Sequence, residues 1–256
     1  MKSRRLPATL PAVLMAAVLA AGCTSSATKK TSASSTSNTS ATALASKLTA
    51  GLAGVSSVHL AVTTDLAGQQ VQGSGGVRLA NGTLSQGDIT EQLPGGLGEV
   101  RLVIIGGKTY AKLPPAVVKT DKPWVLVAPD SSNPVVSQLA ATITTVLAVA
   151  SPSSVVAFAQ AAKSVDNNGV VTINGVETTH YKVSVDAAKL PSTFPGGGAS
   201  GAAIPVDLYI DAMGRPIQIN GKFTVLGQAL TPKVVLSDYN KPVSVSAPPA
   251  NQVTSK

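Results

Sequence analysis

Few residues in this sequence of 256 could do chemistry. It contains one cysteine, Cys23, and two histidines, His59 and His180. A zinc site needs a cluster of such ligands, and the scattered carboxylates do not complete one. No G-x-S-x-G motif places a nucleophilic serine. We therefore predict neither enzymatic activity nor a cofactor, and we interpret both histidines as surface or strand-edge residues.

Two short motif matches lack the structural context that their chemistry needs. Ser26–Lys29 reads S-x-x-K but lies in a Ser/Thr-rich segment that cannot hold a catalytic geometry. Gly196–Gly201 reads G-x-G-x-x-G, whereas a dinucleotide site requires a strand before it and a helix directly after it. Here Pro195 precedes the motif and a predicted strand follows. Asp207 and Asp211, four residues apart in that strand, are interpreted as a solvated edge.

The cysteine ends an N-terminal segment built like a secretory signal peptide. Three cations precede an apolar run over residues 6–21, which is short for a membrane-spanning helix of ~20 residues. The small residue Gly22 comes directly before Cys23, at the place of a lipobox cysteine whose thiolate accepts a diacylglyceryl group. The alternative is an exported protein cleaved near an incidental cysteine. We predict a lipoprotein signal peptide over residues 1–22 and a lipid anchor at Cys23.

Amino-acid composition indicates how the rest of the chain is divided and which ligands it does not bind. Residues 24–43 are almost entirely Ser, Thr and Ala, which cannot bury enough apolar surface to order themselves. We predict a tether over residues 23–43, one folded domain over residues 44–250 and a tail over residues 251–256. The formal charge is +8, but the lysines are scattered and only three Phe, one Trp and four Tyr could stack on bases. Nucleic-acid binding is therefore not expected.

Alternating apolar and polar residues predict that most of the domain is a β-sheet. A helical spacing predicts a helix over residues 44–52, and a charge-free run predicts two more over residues 134–149 and 152–163. A membrane span is the competing interpretation of that run. Asn81-Gly82 and Asn174-Gly175 predict hairpin turns. The candidate strands are residues 58–66, 71–79, 83–92, 99–105, 108–113, 124–128, 170–173, 176–185, 204–211, 216–225 and 233–238.

Strands, then helices, then strands predict an α+β fold with a long antiparallel sheet that curves around the helices. The scarcity of aromatic residues permits an apolar space between the two layers. Lys108, Lys112 and Lys119 could lie at the mouth of this space. The alternative is that the aliphatic residues form an ordinary packed core. The predicted lining residues are Val58, Leu60, Val62, Val77, Leu79, Leu102, Ile104, Leu139, Ile143, Leu147, Val183, Leu208 and Ile210.

Five segments give the sequence a family likeness. They are SVHLAVTTDLAGQQVQGSGGVRL, GGKTYAKLPP with the following KPWVLV, INGVETTHYKVSVD, IPVDLYIDAMGRPIQI and LSDYNKPVSVSAPP. Together with the lipobox and the tether, this series resembles the actinobacterial LppX/LprA/LprF/LprG lipoproteins along nearly the whole chain. The resemblance implies a half-barrel: a strongly curved antiparallel sheet with helices on its concave side.

The same resemblance implies a function. We expect an exported, monomeric lipoprotein, anchored at the outer face of the cell membrane, that binds the acyl chains of a lipid or glycolipid in an apolar cavity. It would carry this ligand through the cell envelope, with an envelope transporter as a candidate partner. The alternative is a non-catalytic envelope scaffold or protein-binding lipoprotein with a packed core.

Overall fold

The structure is a computed structural model that describes residues 39–66, 69–80, 82–117, 119–128, 131, 136, 151–192, 194, 197–199, 201–225 and 228–254. Cys23 and the predicted tether up to residue 38 lie outside the described residues, as does the predicted helix over residues 134–149 except for Val136. Three of the predicted lining residues, Leu139, Ile143 and Leu147, also lie outside them.

The helices and strands of this part of the chain are α1 (Ala41–Leu52), β1 (Ser57–Leu66), β2 (Gln69–Ala80), β3 (Thr83–Leu93), β4 (Gly98–Ile105), β5 (Lys108–Lys112), β6 (Trp124–Val127), α2 (Ser154–Gln160), β7 (Ala162–Ile173), β8 (Val176–Asp186), β9 (Ala203–Asp211), β10 (Pro216–Gly221), β11 (Phe223–Val225), β12 (Gln228–Leu230), β13 (Lys233–Ser237) and β14 (Val253–Thr254).

Twelve of these strands form one open, curved sheet in the order β14-β6-β5-β4-β3-β2-β1-β13-β10-β9-β8-β7, and β11 pairs separately with β12. Every pair is antiparallel except β14 with β6. The predicted α+β half-barrel is confirmed.

Tight turns make consecutive strands neighbours in the sheet. Asn174 and Gly175 between β7 and β8 have φ angles of +48° and +81°, and Gly106 and Gly107 between β4 and β5 have +60° and +71°. Two successive left-handed residues give the turn whose twist matches that of the flanking strands. The hairpin predicted from Asn174-Gly175 is therefore present.

The first helix begins three residues before the predicted start at residue 44. The Ser40 side chain accepts a hydrogen bond from the Ala43 backbone N–H at 3.1 Å, so it caps a helix that starts at Ala41. Leu44 and Leu48 are fully buried, because the predicted apolar spacing places both on the face that packs into the core.

The second helix is shorter than the predicted 152–163. It begins at Ser154, directly after Ser153 at the N-cap position, whose side chain makes no capping hydrogen bond. The Ser151 hydroxyl bonds that of Ser153 at 2.7 Å instead of capping the helix. Residues 162–163 belong to β7, which is much longer than the predicted strand. Register shifts between Ala162 and Ser164 and between Asn167 and Val170 break the two-residue alternation there.

The helices and the sheet share one apolar core. All three phenylalanines of the sequence meet in it: Phe158 of α2 lies edge-on to Phe194, with ring centroids 5.6 Å apart, and 6.2 Å from Phe223. Such aromatic pairs add about 0.5–1.5 kcal/mol each beyond area burial. The phenylalanine cluster therefore fixes α2 against β11 and the segment that precedes β9.

Candidate functional site

One row of directly paired residues crosses eight strands on the core side of the sheet. We call it the central row. All of its members are buried, and all but Glu91 lack a charge. In strand order from β8 to β4 they are Tyr181, Leu208, Ile219, Val234, Val62, Gly73, Glu91 and Val100.

The predicted lining residues within the described chain lie in this row or beside it. Nine of them are buried and Leu79 is half-buried, because alternation along each strand places them on the core side. The structure thus brings them together on one continuous apolar face. Their contact with a ligand stays a prediction. The ten residues are Val58, Leu60, Val62, Val77, Leu79, Leu102, Ile104, Val183, Leu208 and Ile210.

Glu91 is the functional candidate that the sequence analysis missed. It shares the core side of β3 with Ile89 and Leu93, and its exposed fraction is 2%. Neither carboxyl oxygen has a hydrogen-bond partner among the described residues. Burial raises the pKa of Glu91 to about 9, so the folded protein holds this carboxyl group protonated at neutral pH.

Thr64 is a second buried polar side chain on the same side of the sheet. Its hydroxyl also lacks a hydrogen-bond partner among the described residues. Thr64 pairs with Val71, one row beyond the central row and two strands away from Glu91. Strand spacing and rise place their backbones about 12 Å apart. This end of the core therefore contains two polar groups that no described residue satisfies.

Two grooves run beside the helices in the described part of the molecule. One, of about 540 Å³, lies along α1 and reaches Gln160 at the end of α2. The other, of about 630 Å³, lies between the helices and the β2–β3 hairpin, where Leu52, Val55, Leu79 and Val156 supply apolar walls. Leu79 links this second groove to the predicted lining residues.

Polar residues on the outer side of the sheet have structural partners. His180 Nε2 lies 2.7 Å from Asp207 Oδ1, and its ring stacks on Tyr209 with centroids 4.5 Å apart. Asp211 is buried and accepts hydrogen bonds from the backbone and guanidinium of Arg215, both at 2.8 Å. The interpretation of Asp211 as a solvated residue is therefore wrong, because this pairing covers it.

Two of the lysines predicted at the mouth of the apolar space also face away from the core. Lys108 and Lys112 alternate with Ala111, whose side chain is buried in the core cluster. Both are exposed on the opposite side, so they do not border the apolar face, and Lys119 is exposed between β5 and β6.

No group of three or more His, Cys, Asp or Glu side chains among the described residues could hold a metal ion. Among the helices of the same residues, none has the length and apolarity to cross a membrane.

Comparisons with known proteins agree with the fold. The structure is similar to that of the Mycobacterium tuberculosis lipoprotein LppX, with a TM-score of 0.52 and 18% identity over 80% of this chain and 99% of that chain. It is also similar to LprF from Mycobacterium bovis, with a TM-score of 0.51 and 16% identity over 81% of this chain and 96% of that chain. A search of curated proteins finds no match. The LppX_LprAFG lipoprotein model matches residues 40–245, and the chain therefore belongs to that family, as its sequence motifs predict.

Proposed function

We propose that this protein is an exported, membrane-anchored lipoprotein that binds the acyl chains of a lipid or glycolipid between its curved sheet and its helices. The observation that carries the proposal is the continuous apolar face across eight strands, in a chain that belongs to a lipoprotein family. Binding would need no directional chemistry, because burial of acyl chains is itself favourable.

Burial of acyl chains alone supplies enough free energy to bind such a ligand. Each methylene group removed from water contributes about 0.8 kcal/mol, so ten buried methylenes supply roughly 8 kcal/mol before the costs of association. A ligand with two acyl chains on one headgroup doubles this free energy of burial. A lining made of Val, Leu and Ile side chains, such as Leu60, Leu102 and Leu208, is suited to this contact.

We propose the groove between the helices and the β2–β3 hairpin as the entrance for the chains. Its volume of about 630 Å³ lies within the 300–1,000 Å³ that is usual for ligand sites. Leu79 borders both this groove and the core cluster. A chain entering there would pass along β2 toward Val77 and the central row.

The N-terminal region would place this domain in the envelope. We propose that acyl chains on Cys23 hold the protein at the outer face of the cell membrane, since two or three chains anchor far more firmly than one. Residues 24–38 would give the domain reach toward an envelope transporter. In this account the protein acts as a monomer and catalyses no reaction.

A substitution that fills the predicted binding space with a larger side chain tests the proposal. The full chain with Cys23→Ala would be purified from its own organism, alone and with Leu102→Trp, and organic extracts would be analysed by mass spectrometry. We expect co-purifying lipid in the Cys23→Ala protein and a large loss of lipid with Leu102→Trp. The matched control is Val170→Trp, at a position that is 64% exposed, which should retain the lipid.

The opposite result would support a packed scaffold. If the core is solid, no lipid co-purifies with any of the proteins. Leu102→Trp then overfills the core and lowers the free energy of unfolding by about 1–3 kcal/mol, while Val170→Trp does not. Denaturation of the same three samples separates this case from a protein that has lost its lipid during purification.

A further inference from the structure

The apolar face contains one carboxylic acid that the fold itself does not explain. Glu91 lies in the central row between Gly73 of β2 and Val100 of β4. Its neighbours on the same side of β3 are Ile89 and Leu93. None of these four residues has an ionisable side chain, so nothing charged faces Glu91 from its own strand or from the two strands beside it.

The cost of this arrangement points to a purpose other than stability. A buried polar group left without a hydrogen bond costs about 1–3 kcal/mol, and an apolar side chain of the same shape would avoid that cost. Asp88, three residues earlier in β3, shows the usual solution: it faces outward and binds Arg101 through two hydrogen bonds of 2.6 and 2.8 Å. Glu91 has no comparable partner in the described residues.

The chemistry of the surroundings selects the kind of partner. A protonated carboxyl group donates one hydrogen bond through its O–H and accepts others through its carbonyl oxygen. A phosphate or another anion would need a cation, and the central row contains none. An ester carbonyl or a hydroxyl satisfies the carboxyl group without bringing a charge into the core.

We propose that Glu91 forms a polar subsite inside the apolar interior, where it hydrogen-bonds a neutral ester carbonyl or hydroxyl group of an acylated ligand. The inference rests on the proposed lipid-binding function. Thr64 supplies a second buried polar group that has no hydrogen-bond partner among the described residues at this end of the core. The subsite fixes how far the ligand enters, because its oxygen-bearing segment stops at Glu91 while its chains extend along the apolar rows.

Matched probes test this subsite. Three pyrene-labelled chains of equal length would be used: a methyl ester, a primary alcohol and an alkane that lacks oxygen. Their affinities would be measured by fluorescence with the full Cys23→Ala chain after lipid removal. The same measurements would be made with Glu91→Leu, Glu91→Gln and, as an uncharged neighbour control, Ile89→Val. Glu91→Leu should fold, because it replaces an unpaired buried acid with an apolar side chain.

The ratio of ester to alkane affinity isolates the hydrogen bond from general packing effects. We expect Glu91→Leu to lower this ratio by about twofold to tenfold, the value of one net hydrogen bond. Glu91→Gln should retain it, since the amide still donates, and Ile89→Val should shift all affinities together. The alcohol-to-alkane ratio shows whether a hydroxyl serves as well as an ester.

Two other outcomes overturn the inference in different ways. If all three probes bind but both ratios are unchanged in Glu91→Leu, Glu91 is a structural acid and the carrier function stands without the subsite. If none of the probes binds the Cys23→Ala protein, the subsite falls together with the proposed function.

Discussion

Replacing Glu91 with glutamine should make the protein more stable at neutral pH. The carboxyl group has an ordinary pKa of 4.5, and burial raises it to about 9 in the folded state. Between these two values the folded protein holds a proton that the unfolded chain releases. The titration of Glu91 therefore leaves the free energy of unfolding unchanged below pH 4.5 and lowers it progressively as the pH rises toward 9. Glutamine has nearly the same shape and no proton to lose, so it removes this pH dependence.

The magnitude follows from the unfolded-state value of 4.5. At pH 7 the unfolded carboxyl group is two and a half units above its pKa, and each unit is worth about 1.36 kcal/mol. The expected gain from Glu91→Gln is thus about 3 kcal/mol at pH 7 and less than about 1 kcal/mol at pH 5. Any folded-state pKa above about 8 gives the same result, because the folded protein then stays protonated at pH 7.

Urea denaturation of lipid-free protein at pH 5 and pH 7 measures this difference. Trp124, the single tryptophan, is buried in β6 and reports unfolding by its fluorescence. Glu99→Gln is the control, because it removes a carboxyl group at an exposed site in the adjacent strand and should change stability by about 0.5 kcal/mol or less. An equal effect of Glu91→Gln at both pH values would refute the reasoning and indicate that water reaches the carboxyl group.

Three further substitutions test how the two helices are held and how much an ion pair on the outer side of the sheet contributes. Phe158→Ala removes the ring that packs against the two other phenylalanines, and should lower the free energy of unfolding by about 3–5 kcal/mol; a loss below 1 kcal/mol would contradict that packing. Gly214→Ala places a methyl group 2.5 Å from the Lys47 carbonyl oxygen at a φ of +84°, and should cost more than about 1 kcal/mol. Arg101→Ala breaks the exposed pair with Asp88 and should cost about 1 kcal/mol or less. Thermal unfolding ranks all three.

Most strands could be predicted because their side chains alternate strictly and glycine turns separate them. The β7–β8 hairpin is an example, since Asn174-Gly175 fixes the turn and Tyr181, Val183 and Val185 share a buried face. The first half of β7 could not be predicted, because its register shifts hide the alternation. β14 could not be predicted either, since it is two residues long and pairs in parallel with β6, far away in the sequence.

The apolar part of the candidate site was predictable from the same alternation, whereas its polar part was not. A glutamate in a half-buried strand is assigned to the outer side by default, as holds for Glu99. Only the spacing of Glu91 from Ile89 and Leu93, two residues on either side, indicates the core side. That signal becomes convincing once the register places Glu91 between Gly73 and Val100.

Native mass spectrometry of the Cys23→Ala chain, purified from its own organism, tests the central claim most directly. We expect a discrete mass excess over the bare polypeptide that corresponds to a bound lipid and disappears after extraction with organic solvent. A folded protein that shows only the polypeptide mass under gentle conditions would contradict it.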